Sequence, residues 1–300
     1  MRITLPIITA FLVAGVVGLT PTPSFAWGLV AHQYIMGRAI DSLPPELKPL
    51  FEAHRQELIV RVTDPDTWRL VGWAEDPNHF FDFGVKEYGP YPFTAVPRDY
   101  GAALEKFGPE VLERNGRLPW RLAEIHGRLR RAFEDFARSS PYAVSNTVLF
   151  AAVASHYVQD AHQPLHATDN YDGQLTGQRG VHSRFERDLF ERFQSRLRIA
   201  PAAPTPILNV RDAAFDTLLA SYQLVEAILK ADKDAAAGRE MYDDAYFERF
   251  LVGAQPVLER RLAEAISATA GMIIGAWEQA GKPAVRVREA RPVERINRPQ

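Results

Sequence analysis

Imidazole and carboxylate side chains recur four residues apart in one segment of this chain, at His156 with Asp160 and at His182 with Glu186. On a helix such residues lie one turn apart on the same face, so each pair aims a nitrogen and an oxygen at one point. His166 lies between the two pairs. A single pair is typical of a solvent-facing helix, but five such side chains close together in a chain with eight histidines indicate a metal site. Nitrogen and oxygen ligands at about 2.0–2.2 Å suit zinc.

Two earlier segments carry further side chains of the kinds that bind metals or substrates. Asp64–Arg69 contains two carboxylates and a guanidinium, and on its own it is typical of a turn that ends a helix. His79–Asp82 places an imidazole and a carboxylate on either side of two phenylalanines, which on their own are typical of a packed segment. The candidates in these segments are Asp64, Asp66, Arg69, His79, Phe80 and Asp82.

The first residues predict export. Met1-Arg2 is positively charged, Leu5–Leu19 is apolar and uncharged, and Ala26 ends a small-x-small cleavage site. This is the pattern of a secretory signal peptide over residues 1–26, and the apolar run is too short for a membrane-spanning helix. We therefore expect a secreted or periplasmic protein without a transmembrane segment after cleavage. Its new N-terminus would be Trp27, whose free α-amine and carbonyl chelate metal ions, with His32 close by in the first helix.

The elements that must position these residues are helices. Apolar residues recur at helical spacing and no alternating strand pattern appears, so we predict an all-α, single-domain helical bundle over residues 27–282, with the metal site between helices. Residues 283–300 are predicted to form a disordered tail. The predicted helices are Leu29–Leu43, Pro45–Val62, Arg98–Phe107, Pro119–Ser139, Ala143–Ala161, His182–Leu197, Val210–Ala231 and Asp244–Ala280.

Composition limits which ligand atoms, stabilising bonds and partners the chain can have. The chain of 300 residues contains no cysteine, so any zinc must be held by nitrogen and oxygen, and no disulfide can stabilise the exported protein. A formal net charge of −2 argues against a general nucleic-acid coat. Nothing in the sequence implies a stable protein partner.

Together, the order and spacing of these residues resemble the zinc-dependent phospholipase C / S1-P1 nuclease superfamily over most of the mature chain. The resemblance implies three Zn²⁺ ions. One would be held by Asp64, His79, His156 and Asp160. A second would be held by His166, His182 and Glu186. A third would be held by the α-amine and carbonyl of Trp27 with His32, and Asp160 would bridge the first and third ions.

The resemblance also implies roles in hydrolysis. Zinc would activate a water toward phosphorus, and Arg69 would steady the charge on the phosphate. Asp64, Arg69 and Asp160 are thus the catalytic candidates. Asp66 remains an alternative to Asp64 as the ligand, because it stands three residues before Arg69, as in the D-x-x-R motif of the nucleases.

The substrate is left open between two branches. In the nuclease branch, Phe80 would stack a base of single-stranded DNA or RNA and Asp82 would bind the edge of that base. Glu186, the segment Ser267–Gly271 and the absence of cysteine resemble the bacterial phospholipases C instead, and we prefer a phospholipid substrate. A third reading is a secreted zinc-binding protein without activity, because a site closed by protein ligands is structural rather than catalytic.

Overall fold

The computed structural model describes residues 27–290, so the predicted signal peptide and residues 291–300 lie outside the described residues. This part of the chain is helical and contains no β-strand, which confirms the predicted all-α fold. The α-helices are α1 (Gly28–Asp41), α2 (Lys48–Ala53), α3 (Arg55–Arg61), α4 (Asp64–Leu70), α5 (Tyr100–Phe107), α6 (Pro109–Asn115), α7 (Leu118–Ala137), α8 (Ala143–Ala161), α9 (Val181–Ser183), α10 (Leu189–Phe193), α11 (Val210–Tyr222), α12 (Val225–Ala236) and α13 (Asp244–Gln279). A π-helical segment, Arg184–Asp188, joins α9 to α10. Short 3-10 turns occur at Asp76–Asn78, Lys86–Tyr88, Pro164–Ala167 and Gln194–Arg196.

Helix α8 lies at the centre of the bundle. Every residue from Ala151 to Ala161 is buried, because α8 packs against α3, α7, α11 and α13. A helix that is apolar on all sides is stable only when it is surrounded in this way. The two ligand-type residues near its C-terminal end, His156 and Asp160, are therefore held in the interior.

The core divides into three groups of apolar side chains. The first joins α1, α7, α8 and the C-terminal part of α13. The second joins α1, α10, α12 and the N-terminal part of α13. The third is aromatic and surrounds Phe81, between Phe83, Tyr88, Trp120 and Phe215. Phe81 thus anchors the segment that carries His79, Phe80 and Asp82.

Several predicted boundaries differ from those observed. The predicted helix Pro45–Val62 is divided into α2 and α3 at His54, and Val210–Ala231 is divided into α11 and α12. The segment predicted to be a turn at Asp64–Arg69 is instead most of helix α4. Pro65 lies in the first turn of α4, where its missing N–H removes no helical hydrogen bond.

Residues 283–290 belong to the predicted disordered tail, and two of them, Arg286 and Glu289, contact the chain at the start of α8. The Glu289 carboxylate accepts hydrogen bonds from the backbone N–H groups of Val144 (3.0 Å) and Ser145 (2.6 Å). Such an acceptor satisfies N–H groups that a helix leaves unpaired at its N-terminus.

The glycines of α13 near Ser267–Gly271 have a packing role. A Cβ at Gly271 would lie 2.4 Å from the carbonyl oxygen of Thr205, and one at Gly275 would lie 2.1 Å from that of Ile207. Only glycine at these two positions lets the segment Thr205–Ile207 pass so close to α13.

Candidate metal centre

Six separate parts of the fold bring the ligand-type side chains to one place. Helix α8 supplies His156 and Asp160, and the 3-10 turn begun by Pro164 carries His166. Helix α1 supplies His32, and helix α4 supplies Asp66. His79 directly follows the Asp76–Asn78 turn. His182 lies in α9, and Glu186 lies in the π-helical segment that continues α9.

The first group consists of Asp66, His79 and His156, all buried. His156 Nε2 lies 3.0 Å from His79 Nδ1 and 4.0 Å from Asp66 Oδ1. His79 Nδ1 lies 3.8 Å from the same aspartate oxygen. Asp160 Oδ2 adjoins both imidazoles, at 3.1 Å from His79 Nδ1 and 3.2 Å from His156 Nε2. Four predicted ligand-type side chains thus surround one point, with Asp66 as the aspartate from α4.

The second group consists of His166, His182 and Glu186, which are also buried. The Nε2 atoms of the two histidines lie 3.1 Å apart, and His182 Nε2 lies 2.9 Å from Glu186 Oε2. The same carboxylate oxygen accepts hydrogen bonds from Gln163 Nε2 and from the backbone N–H of Trp27, both at 3.0 Å. The predicted second ligand set is therefore assembled, and the N-terminal residue of the described chain lies beside it.

The third group consists of His32, His156 and Asp160. His32 Nε2 lies 3.5 Å from Asp160 Oδ1, while the other oxygen of this aspartate faces the first group. Asp160 therefore lies between the first and third groups, which is the position expected of a bridging carboxylate. Trp27 is fully buried and its indole N–H donates to the carbonyl oxygen of Gln159 (2.7 Å).

Backbone carbonyls set the orientation of two imidazoles. His156 Nδ1 lies 2.9 Å from the carbonyl oxygen of Val62, and His166 Nδ1 lies 2.7 Å from that of His79. A carbonyl accepts only, so in each ring Nδ1 carries the proton and Nε2 has a free lone pair. Such contacts fix the tautomer of a metal-ligating histidine.

Five atoms of these groups are buried without a hydrogen-bond partner among the described residues: Nε2 of His32, Nε2 of His79, Nδ1 of His182, Oδ2 of Asp66 and Oδ1 of Asp160. A buried polar atom without a partner is costly, so atoms of this kind in one place indicate a ligand. The nitrogen–nitrogen distances of 3.0 and 3.1 Å are close to the separation of about 3.3 Å between two nitrogens on a tetrahedral ion with bonds of about 2.0–2.1 Å. The residues present therefore fit metal ions in three buried groups.

Burial and neighbouring charges shift the pKa values of the ligand-type side chains in different directions. Burial lowers the pKa of His166 to about 3, so that this imidazole is neutral at physiological pH. Burial also lowers the pKa of His79, and it outweighs the attraction of Asp160. Burial opposes ionisation of Asp160, but the neighbouring His156, His32 and His79 outweigh it and hold the pKa of Asp160 well below its usual range. Burial opposes protonation of His156 and His182 as well, but Asp160 and Glu186 outweigh it and raise the pKa of these two imidazoles. A divalent cation binds only the neutral imidazole, so its binding would displace a proton from either ring that carries one.

The sequence analysis preferred Asp64 to Asp66 as the ligand, and the geometry reverses this preference. The side chain of Asp66 is fully buried, whereas that of Asp64 is 27% exposed and forms an ion pair with Arg61 (3.2 Å). Asp64 is the first residue of α4 and Asp66 the third, so the two side chains leave the helix in different directions. Asp64 belongs to none of the three groups, so the geometry favours Asp66, the alternative that the sequence left open.

A cavity of about 340 Å³ lies beside the groups. Its lining contains the predicted residues His79, His166, His182, Arg69, Phe80 and Asp82 together with Asp76, Arg114, Leu165 and Tyr171. Arg69 is oriented by Asp76, with which it forms an ion pair, and by Asp66 Oδ1 at 3.5 Å from its Nη1. Burial and the nearby charge of Asp169 raise the pKa of Asp82 well above its usual range.

Several residues of the site were not predicted. Gln159 contacts His32 Nδ1, and Gln163 contacts Glu186. Both lie in the same short segment as the predicted ligands, and their position between His156 and His166 was the available signal. Arg114 and Tyr171 reach the cavity from α6 and from the loop after His166, and no sequence spacing links them to the ligands.

Comparison of the chain with protein-family models and with curated proteins finds no match. Across residues 27–290, none of the helices has the length and apolar content needed to cross a membrane.

Proposed function

We propose that this protein is an exported, zinc-dependent phosphodiester hydrolase of the phospholipase C type. The observation that carries the proposal is the convergence of three buried histidine–carboxylate groups beside one cavity that Arg69 also lines. A site of this composition, accessible through a cavity, suits catalysis better than a purely structural metal site, which protein ligands close off.

The residues that would hold zinc are those of the three groups. Asp66, His79, His156 and Asp160 would hold one ion, and His166, His182 and Glu186 a second. His32 and Asp160 would hold a third together with the backbone of Trp27. The chemistry supplied by bound zinc is Lewis-acid polarisation of phosphate oxygens and a lowered pKa of nearby water.

Among the residues that line the cavity and are not candidate metal ligands, Arg69 has the clearest role. Its guanidinium lines the cavity, and the carboxylates of Asp66 and Asp76 hold it in place. A guanidinium binds two oxygens of one phosphate through parallel N–H donors, and it stabilises charge that develops during hydrolysis. Arg69 would therefore orient the phosphodiester against the metal ions.

Export would change the chemistry of Trp27, whose backbone N–H lies beside the second group. Cleavage after Ala26 would convert the buried backbone N–H of Trp27, which lies 3.0 Å from Glu186 Oε2, into a free amine. A free amine offers a lone pair that a peptide nitrogen lacks. The predicted signal peptide and the predicted metal site are therefore chemically connected.

A second candidate function is the hydrolysis of single-stranded nucleic acid, which one observation favours. Phe80 and Asp82 line the same cavity as His79 and His166. An aromatic ring beside a buried carboxyl group is suited to stacking a base and to binding its edge.

The test is an assay of the full chain, exported and processed by its expression host and supplied with zinc. Phosphatidylcholine and single-stranded DNA are offered in parallel, with and without a chelator. The proposal predicts chelator-sensitive release of phosphocholine; release of nucleotides alone would favour the second candidate, and no reaction with metal still bound would support a zinc-binding protein without activity. Arg69→Gln should lower kcat/KM by roughly 100-fold with unchanged zinc content, whereas the surface variant Arg61→Gln should be fully active.

A further inference from the structure

Exposed apolar side chains lie on a first loop whose two flanking residues line the cavity. Residues 70–75 connect Arg69 to Asp76, which both line the cavity and form an ion pair across the base of the loop. Leu70, Val71 and Trp73 in this loop are each more than half exposed. The loop therefore forms part of the cavity rim and presents apolar groups to solvent.

A second loop extends the same rim. Residues 168–180 connect His166 to His182, which also line the cavity. Tyr171 both lines the cavity and is 49% exposed, and Leu175 is 67% exposed. We call Leu70, Val71, Trp73, Tyr171 and Leu175 the apolar rim.

We propose that the apolar rim docks onto the surface of a zwitterionic phospholipid bilayer; this inference rests on the proposed phospholipase activity. Tryptophan and tyrosine are suited to the boundary between lipid tails and water, and leucine and valine to the region just below it. The apolar rim would thereby hold the cavity against the bilayer surface, where the phosphate of a lipid can reach Arg69 and the metal-binding groups.

The charged residues of the two loops favour a neutral bilayer over nucleic acid or an anionic membrane. The charged residues of the two loops that are at least partly exposed are Asp169, Asp172 and Arg179, and the loops contain no lysine. Glu75 is buried and pairs with Arg121. Nucleic acid is bound through clustered basic side chains that neutralise phosphates, and anionic lipids attract the same groups. A rim without a cluster of basic side chains suits a bilayer of no net charge, such as one of phosphatidylcholine.

The test compares two double variants of the zinc-loaded full chain. Val71→Ser with Leu175→Ser removes two rim side chains whose loss leaves the stacking of Trp73 on Trp68 intact. Met241→Ser with Val252→Ser is the matched control, because these residues are at least as exposed but lie away from the cavity. Each protein is sedimented with dioleoylphosphatidylcholine vesicles and assayed on vesicles and on a short-chain phosphatidylcholine below its micelle concentration.

The rim variant should bind vesicles at least about tenfold more weakly than the control, because each apolar side chain contributes to transfer out of water. Its hydrolysis of vesicles should fall in parallel, while hydrolysis of the monomeric lipid should be unchanged. Equal vesicle binding by both variants, or no binding by the wild-type protein, would overturn the proposal. Rim-dependent vesicle binding without hydrolysis of either lipid would refute the proposed activity and leave the docking surface standing.

Discussion

The carboxylate of Asp66 is buried 3.8 Å from His79 and 4.0 Å from His156, whereas Asp64, two residues earlier, pairs with Arg61 at the surface. The Arg69 guanidinium lies 3.5 Å from Asp66 Oδ1 and compensates part of this buried charge, and a bound cation would compensate it further. One of its oxygens has no hydrogen-bond partner among residues 27–290. Asp66 is therefore buried with an unpaired oxygen, as a metal ligand would be, whereas the charge of Asp64 is already paired with that of Arg61.

This difference gives a prediction about metal content. Asp66→Asn should reduce the zinc bound per chain by one ion, because a neutral amide is a poor zinc ligand, whereas Asp64→Asn should bind as much zinc as the wild-type protein. Elemental analysis of the purified, dialysed variants measures both. If Asp64→Asn loses the ion and Asp66→Asn retains it, the assignment drawn from the geometry is incorrect.

The residue spacing indicated most of the residues that the structure brings together, but it did not decide between Asp64 and Asp66. His156 with Asp160 and His182 with Glu186 could be predicted because a helix fixes the direction of residues four apart. Asp64 and Asp66 could not be distinguished, because the choice depends on where α4 begins relative to α8. That relation is set by packing between elements and leaves no local pattern in the sequence.

At the scale of elements, the site depends on how α8 is held. Its C-terminal end carries two ligand-type residues, and its N-terminal end is capped by Glu289 from residues 283–290. The predicted length of α8 is confirmed, because its apolar run ends just before Pro164. Its cap could not be predicted, because Glu289 lies far along the chain in a segment without apolar periodicity.

Removal of this cap should destabilise the protein without changing its chemistry. Glu289→Ala should lower the free energy of unfolding by roughly 1 kcal/mol, the usual cost of a lost N-terminal cap. Chemical denaturation measures the change, and Glu105→Ala, an exposed glutamate of α5, is the control. Equal stability of the two variants would show that the contact of Glu289 with α8 contributes nothing.

Helix α7 supplies a second test, through pH. Burial lowers the pKa of His126 on α7 from 6.5 to about 4. Because the unfolded chain binds the proton first, stability should fall as the pH drops from 6.5 to about 4 and then level off. The difference corresponds to about 3 kcal/mol. His126→Gln should flatten this part of the profile of unfolding free energy against pH, and an unchanged slope would contradict the account.

At the scale of the whole molecule, the three core groups enclose a set of buried polar side chains that the fold does not itself satisfy. The apolar groups hold α1, α8, α9 and α13 in place, and the ligand-type residues meet where these helices converge with α4. Buried histidines and carboxylates without full pairing are costly. We infer that bound metal compensates this cost, so the bundle and its metal ions form one stable unit.

The most direct test of this central claim is the metal content of the full chain, exported and processed by its host. The protein is dialysed extensively and analysed by inductively coupled plasma mass spectrometry. The account predicts three zinc ions per chain, with two remaining in Asp66→Asn. A folded protein that retains no metal after growth and purification in the presence of zinc would contradict it.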